Sequence, residues 1–395
     1  MWQYGLIGAI SIIFFALIPG FGAFHVRRRW RIFRSRITDS SLLSTVKYEQ
    51  IGREPDGFLG YYRFSGELEA IQGDDTIWIN SEDVSLSAEL SGVSVYLLPS
   101  YSFAENEGIL ERNEESLPDE MPRGVQWKRI FTLPEGTGVY LSGALYSERG
   151  QGVFRSQRHN PLTVVIFDGD EDTILRRSIW GGRQRNEYWN QFTAVSLIAG
   201  SLSLLFLAYN FFRFSASAAP AVLSFAMSMT PIIPFLPPGI LLFFVYRYLW
   251  KRGRFNRAER DMLRLPLRYF TESNIPHQKT VRLPDGSPYG LRIFHSRAEA
   301  LRGMREKKVR ILLRDRRAHP REFFVFGDSR DEGGYMDSPR DPMAELIMIP
   351  GNPIALAGLC QKRARINELL SIAAFFICYL SNWFVLVYVL NVWIV

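Results

Sequence analysis

The chain has 395 residues, 47 Lys plus Arg against 40 Asp plus Glu, a formal net charge of +7, and two cysteines. Cys360 and Cys378 alone exclude a disulfide framework and a Cys-based zinc site. His25, His159, His277, His295 and His319 show no ligand spacing, so neither a metal nor a cofactor is expected. The basic residues flank apolar runs instead of covering a domain face. That pattern points to a lipid bilayer with anionic headgroups as partner and away from nucleic acid.

The first apolar run, within residues 1–24, carries no charged side chain. At 1.5 Å per residue such a run crosses ~30 Å of hydrocarbon. Arg27, Arg28, Arg29, Arg31, Arg34 and Arg36 follow it at once. A cleaved leader would carry its charge before the apolar run, so a retained transmembrane helix is expected. The second run is 191–212, preceded by Arg176, Arg177, Arg183 and Arg185. The third is 218–246, followed by Arg247, Lys251, Arg252, Arg254 and Arg257, and the fourth is 369–395. By the positive-inside rule both termini and the loop at 213–217 lie outside, and 25–190 and 247–368 lie in the cytoplasm, as in a bacterial inner membrane. Arg27, Arg28, Arg29, Arg31, Arg34, Arg36, Lys251, Arg252 and Arg254 are the residues expected at the membrane surface.

The third run contains Pro231, Pro234, Pro237 and Pro238. Each removes a backbone donor and clashes with the preceding turn, so the helix is expected to break between Thr230 and Gly239. No run contains Asp, Glu, Lys, Arg or His. Ion-coupled transport usually needs an ionisable group at depth, so the break reads first as a packing feature and second as part of a transport site.

Segment 25–190 reads as β-rich. Period-two alternation marks strands at 61–70, 76–80, 84–90, 92–98, 138–143, 152–155 and 162–167. A small barrel or sandwich follows from that spacing, with an OB-like barrel as one candidate. Residues 105–120 form an acidic insertion, read as a solvated loop. The run Val164 to Asp168-Gly169-Asp170 resembles the strand-end aspartates of haloacid-dehalogenase phosphatases, in which one carboxylate attacks phosphorus. Glu171 and Asp172 depart from that pattern, and Gly169-Asp170 between apolar runs is read as a hairpin turn.

Segment 247–368 reads as α+β. Residues 281–293 form a hairpin about Pro284-Asp285-Gly286, and Ser296 caps a helix over 297–307 with Glu299 at the capping-box position. Strands are expected at 309–313, 322–327 and 344–349, then a helix from Pro353 to Arg365. The ends of the two segments match. Val139 to Gly143, Asn160-Pro161, Val165 to Gly169, and Arg183 with Arg185 have counterparts in Phe324 to Gly327, Asp341-Pro342, Leu346 to Gly351, and Arg363 with Arg365. Internal duplication is one reading of this likeness, and chance similarity of two membrane-proximal domains is the other.

Phe323 to Gly327, Asp341-Pro342, the strand to Gly351, and Leu359 to Arg365 resemble the beside-a-membrane (GIDE-type) domain. That family places such a domain between two transmembrane helices. Its eukaryotic members add a Cys-rich RING module; with only Cys360 and Cys378 this chain implies no ligase activity. The resemblance implies an interaction domain held at the membrane, with no catalytic residues to carry over.

The expected fold class is therefore a multi-span α-helical membrane protein with two membrane-proximal cytoplasmic domains, the first β-rich and the second α+β. The expected function is that of a membrane scaffold with a protein partner. A transporter or channel subunit is the alternative resting on the third run, and a membrane enzyme is the one resting on Asp168 and Asp170.

Overall fold

The computed structural model describes residues 2–47, 49, 51, 56–81, 84–100, 119–130, 132–183, 185–214, 217–270, 280–305, 310–311, 321–329 and 335–394. The chain divides into two compact units, one of 1–33, 184–257 and 361–395 and the other of 34–183 and 258–360. Most of the acidic insertion at 105–120 lies outside the described residues.

The first unit is built on α1 (Trp2–Ser40), α3 (Thr193–Phe214) and α7 (Pro353–Ile394), three helices long and apolar enough to cross a membrane. The run at 218–246 is divided into α4 (Ala219–Ser228) and the start of α5 (Ile240–Arg264). A short 3-10 turn, Ile233–Phe235, lies between them. All four prolines fall inside the gap, where their missing donors would otherwise leave an α-ladder with holes. Four expected runs thus become three unbroken helices and one divided stretch. At ten residues, α4 is ~15 Å long and is half a crossing.

Helix α1 carries its own irregularity, a π-turn at Ile13–Leu17. Pro19 has no N–H to give the Phe15 carbonyl four residues back, which explains the local widening. Tyr188 donates to that carbonyl at 2.9 Å and Ser196 donates to the Phe14 carbonyl at 2.6 Å. Asn190 donates to the Pro19 carbonyl at 3.1 Å. The chain entering α3 thereby satisfies what the proline leaves open. Gly200 permits the approach, since a Cβ there would meet the Phe14 and Phe15 side chains at 2.6 and 2.8 Å.

The second unit holds two sheets. The larger contains β1 (Ser44–Thr45), β2 (Gly57–Gln72), β3 (Thr76–Ser81), β4 (Val84–Glu89), β5 (Ser94–Leu97), β6 (Arg123–Gln126), β7 (Gly138–Glu148), β8 (Gln151–Arg155) and β9 (Thr163–Phe167). Its order is β1-β2-β3-β4-β8-β7-β9-β5-β6, and β2 pairs with β7 as well as with β3. The pairings β2-β3-β4-β8-β7 therefore return to β2, with β4 and β8 parallel and the other neighbours antiparallel. Strand β2 serves two ladders because it is long and is bent by bulges at Phe58/Gly60 and Leu68/Ala70. Phe64, Leu68, Ile79, Leu86, Leu141 and Phe154 fill the interior.

The smaller sheet runs β10 (Thr280–Arg282), β11 (Pro288–Phe294), β13 (Phe323–Asp328), β14 (Ile347–Pro350) and β12 (Arg310–Ile311). Ser296 accepts from the Glu299 amide at 3.1 Å at the start of α6 (Arg297–Arg302), as its sequence position requires.

The two sheets share a ladder. In the larger, β2, β7 and β9 are successively antiparallel and β5 lies parallel beside β9. In the smaller, β11, β13 and β14 repeat that sequence and β12 lies parallel beside β14. Chain order within each set is the same. The packing also repeats: a Cβ on Gly143 would meet Leu162 at 2.9 Å, and one on Gly327 would meet Leu346 at 2.6 Å. Both Leu residues immediately precede the third strand of the set. These correspondences support the duplication read from the sequence.

The expected hairpin at Gly169-Asp170 is corrected. Strand β9 leads through a 3-10 turn into α2 (Ile174–Trp180), whose residues are all buried. The apolar run at 173–179 has helical packing to satisfy, and its two arginines reach acceptors from a helix.

Candidate functional site

The divided apolar stretch is the most built feature of the helical unit. Helices α5 and α7 run antiparallel: Arg257 pairs with Glu368, the Tyr246 and Phe375 rings lie 5.2 Å apart, and Gly239 meets Asn382. Asn382 stands 14 residues (382 minus 368) beyond Glu368, a distance of ~21 Å along the helix. It therefore sits at the middle of the charge-free part of α7.

The gap at 229–239 has eleven residues and four prolines, leaving seven backbone N–H groups. All seven are bonded. Met229, Thr230, Ile232, Ile233, Phe235 and Leu236 donate to carbonyls within 226–233. The Gly239 N–H donates to Asn382 Oδ1 at 2.7 Å. The Asn382 amide in turn donates to the Ile233 and Leu236 carbonyls at 2.7 and 2.8 Å. Its side chain ties the middle of the gap to its C-terminal end. Gly239 is required there, since a Cβ would meet the Asn382 amide at 2.7 Å. The Thr230 hydroxyl lies 3.3 Å from the Tyr379 hydroxyl, and Cys378 Sγ lies 3.6 Å from the Pro234 carbonyl. Pro231, Pro234, Pro237 and Pro238 thus form an elbow clasped by one side of α7. A search for ionisable groups misses Asn382; the signal is an amide, one of two with Asn391, in a tail without charged side chains.

Of the basic residues expected at the membrane surface, Arg27, Arg28, Arg29, Arg31, Lys251 and Arg252 are exposed. Arg34 and Arg36 are half-buried, and Arg34 donates to the Gly181 carbonyl at 2.9 Å. Arg254 is also half-buried; it pairs with Glu187 and lies 4.7 Å from the Trp250 ring centre. The arginines ahead of α3 behave differently from the sequence expectation. Arg176 and Arg177 are buried, with Arg176 paired to Glu345 at 2.7 Å, and Arg183 pairs with Asp261.

Asp168 and Asp170 do not converge on a shared site. Asp170 is exposed. Asp168 is half-exposed and accepts from the buried Arg177 at 2.5 Å, while Arg177 also donates to the Pro99 carbonyl. Partial burial would raise the Asp168 carboxyl, but hydrogen bonds from Arg177 and Ser100 hold it below the usual carboxylate range. The carboxylate is committed to a structural arginine and carries no sign of a nucleophile.

A second polar centre lies in the strand unit. Arg63 on β2 pairs with Asp341, both side chains almost fully buried. Arg63 Nε donates to the Leu43 carbonyl at 2.8 Å, and Asp341 Oδ1 accepts from the Met343 amide at 2.9 Å. Burial pulls the Arg63 guanidinium down, but Asp341 and Tyr140 together hold it above its ordinary value. Close by, the Tyr140 and Ser40 hydroxyls are 2.7 Å apart. Burial pushes the Tyr140 phenol up to about 12, against the pull of Arg63 and Ser40. The folded state therefore favours neutral Tyr140, and its contribution is lost as pH rises from ~10 towards that value. Tyr140→Phe is expected to flatten this alkaline loss in a pH series of thermal melts; an unchanged slope above pH ~10 assigns the loss elsewhere.

No family model, no curated protein and no solved structure matches this chain.

Proposed function

We propose that the chain is an integral membrane interaction protein that presents two β-containing domains at the inner surface of a bilayer. The observation that carries this reading is the division of its basic residues. Arg27, Arg28, Arg29 and Arg31, after the apolar part of α1, and Arg247, Lys251 and Arg252, after the apolar start of α5, stay exposed, whereas Arg63, Arg176 and Arg177 of the strand unit are buried against carboxylates. An exposed basic collar beside charge-free helices suits anionic headgroups, at about 1 kcal/mol per residue near the surface. The charge asymmetry supports outside termini and a cytoplasmic strand unit, and the closed ring of pairings supports an OB-like barrel in its first half. The resemblance of 323–365 to the beside-a-membrane domain supports an interaction role over catalysis.

Full-length protein recovered from native membranes after cross-linking should carry one reproducible partner joined to the strand unit. Recovery without any recurrent partner counts against the reading. The collar is tested separately: Arg27→Gln, Arg28→Gln and Arg29→Gln together should lower co-purified anionic phospholipid without changing the melting temperature.

A transport subunit is the second reading, favoured by the elbow alone. It requires Pro234→Ala to abolish a measurable flux while the strand unit is dispensable.

A further inference from the structure

We infer that the outer face of the elbow is a docking surface for a membrane-embedded helix of a partner protein, and that this helix brings hydrogen-bond donors. The inference rests on the membrane-spanning part of the function proposed above and not on the role of the β domains.

Water is scarce in the hydrocarbon layer, so irregular backbone persists there only where protein or a water-filled cavity covers it. The elbow is irregular over eleven residues, 229–239, and lies at the depth of Asn382. Its inner side is covered by α7. Its other side is open: Ile232 and Phe235 are about half exposed, and Pro237 and Pro238 are exposed.

The chemistry of that open side is one-sided. Four prolines leave more carbonyls than N–H groups, and every N–H present is already used. Among the described residues, the carbonyls of Pro231, Phe235, Pro237 and Pro238 accept no hydrogen bond. Asn382 has used its two N–H groups on Ile233 and Leu236. The stretch 229–239 therefore offers unmet acceptors set among apolar rings, with its own N–H groups already used. Acyl chains cannot answer it. A transmembrane helix presenting Ser, Thr, Asn, Tyr or Trp can, with Phe235 and the proline rings supplying the apolar contact.

The test uses the full chain in its native membrane. A photo-reactive phenylalanine analogue replaces Phe235, and in a parallel sample the half-exposed Phe376 of α7. The expected result is a protein adduct from position 235 alone. Its linked peptide should map to a membrane-spanning segment with a donor side chain within one turn of the linked residue. Alanine in place of that donor should abolish the adduct. Lipid adducts alone at position 235, as at 376, overturn the inference, as does a linked peptide from outside the membrane. A second variant, Pro237→Cys, guards against misfolding at 235. Its protection from a membrane-impermeant thiol reagent is expected, and ready labelling, which marks a water-filled path, also overturns the inference. Loss of cross-links to the strand unit would instead count only against the scaffold reading.

Discussion

Asp341→Ala should destabilise the strand unit by about 3–5 kcal/mol, the range seen when one partner of a buried ion pair is removed. The reason is the guanidinium left behind. Arg63 is almost fully buried, and its remaining acceptor is the Leu43 carbonyl. The control is the double variant Arg63→Met with Asp341→Leu. It removes both charges together and should recover most of the loss, because well-packed apolar side chains replace such pairs at little cost. Thermal melts of the purified chain in lipid discs, read by protease susceptibility of the strand unit, compare the two. If the single and double variants melt together, the unpaired guanidinium is not the source of the loss.

Asn382→Leu should be the most damaging single change among the helices. It removes three hydrogen bonds at mid-depth, two to carbonyls and one from the Gly239 N–H. At ~1 kcal/mol each, and with membrane-embedded bonds averaging less, the loss should be about 2–3 kcal/mol. Cys378 gives a direct readout, since it is fully buried and faces the Pro234 carbonyl. A membrane-permeant maleimide should label Cys378 much faster in the variant. Unchanged labelling would mean that the prolines hold the elbow without the amide. Asn382→Asp should also weaken the clasp, because a carboxylate accepts from Gly239 but donates nothing to Ile233 and Leu236.

Much of this architecture was legible from residue patterns. The alternating runs at 61–70, 76–80 and 138–143 each fall inside a strand, and the run at 84–90 overruns β4 by one residue. A half-buried pleated surface demands that alternation, so period two is a strong signal. The proline break was equally legible, because ring geometry and a missing donor act locally. The segment 173–179 was misread because Gly-Asp between apolar runs fits a hairpin as well as a strand-to-helix turn. Arg176 and Arg177 decide it through Glu345 and Asp168, and Glu345 is distant in sequence. Strand β6 was missed for a related reason: Arg123–Gln126 has no apolar alternation and is held as an edge partner of β5. Asn382 escaped notice because one amide has no periodicity; its role exists only once the prolines have opened the neighbouring segment.

The buried pairs also bear on how the protein meets salt. Arg63, Arg177, Arg183 and Arg257 each sit against a carboxylate of the same chain, so none of them holds a mobile anion in free solution. The formal +7 therefore misstates where attraction to a charged surface originates. Raising ionic strength from physiological levels to ~1 M shortens the screening length from ~8 Å to ~3 Å. That change should strip headgroup attraction from the exposed arginines of α1 and α5 while leaving the paired interior intact. Surface affinity and folding stability should then part company in a salt titration.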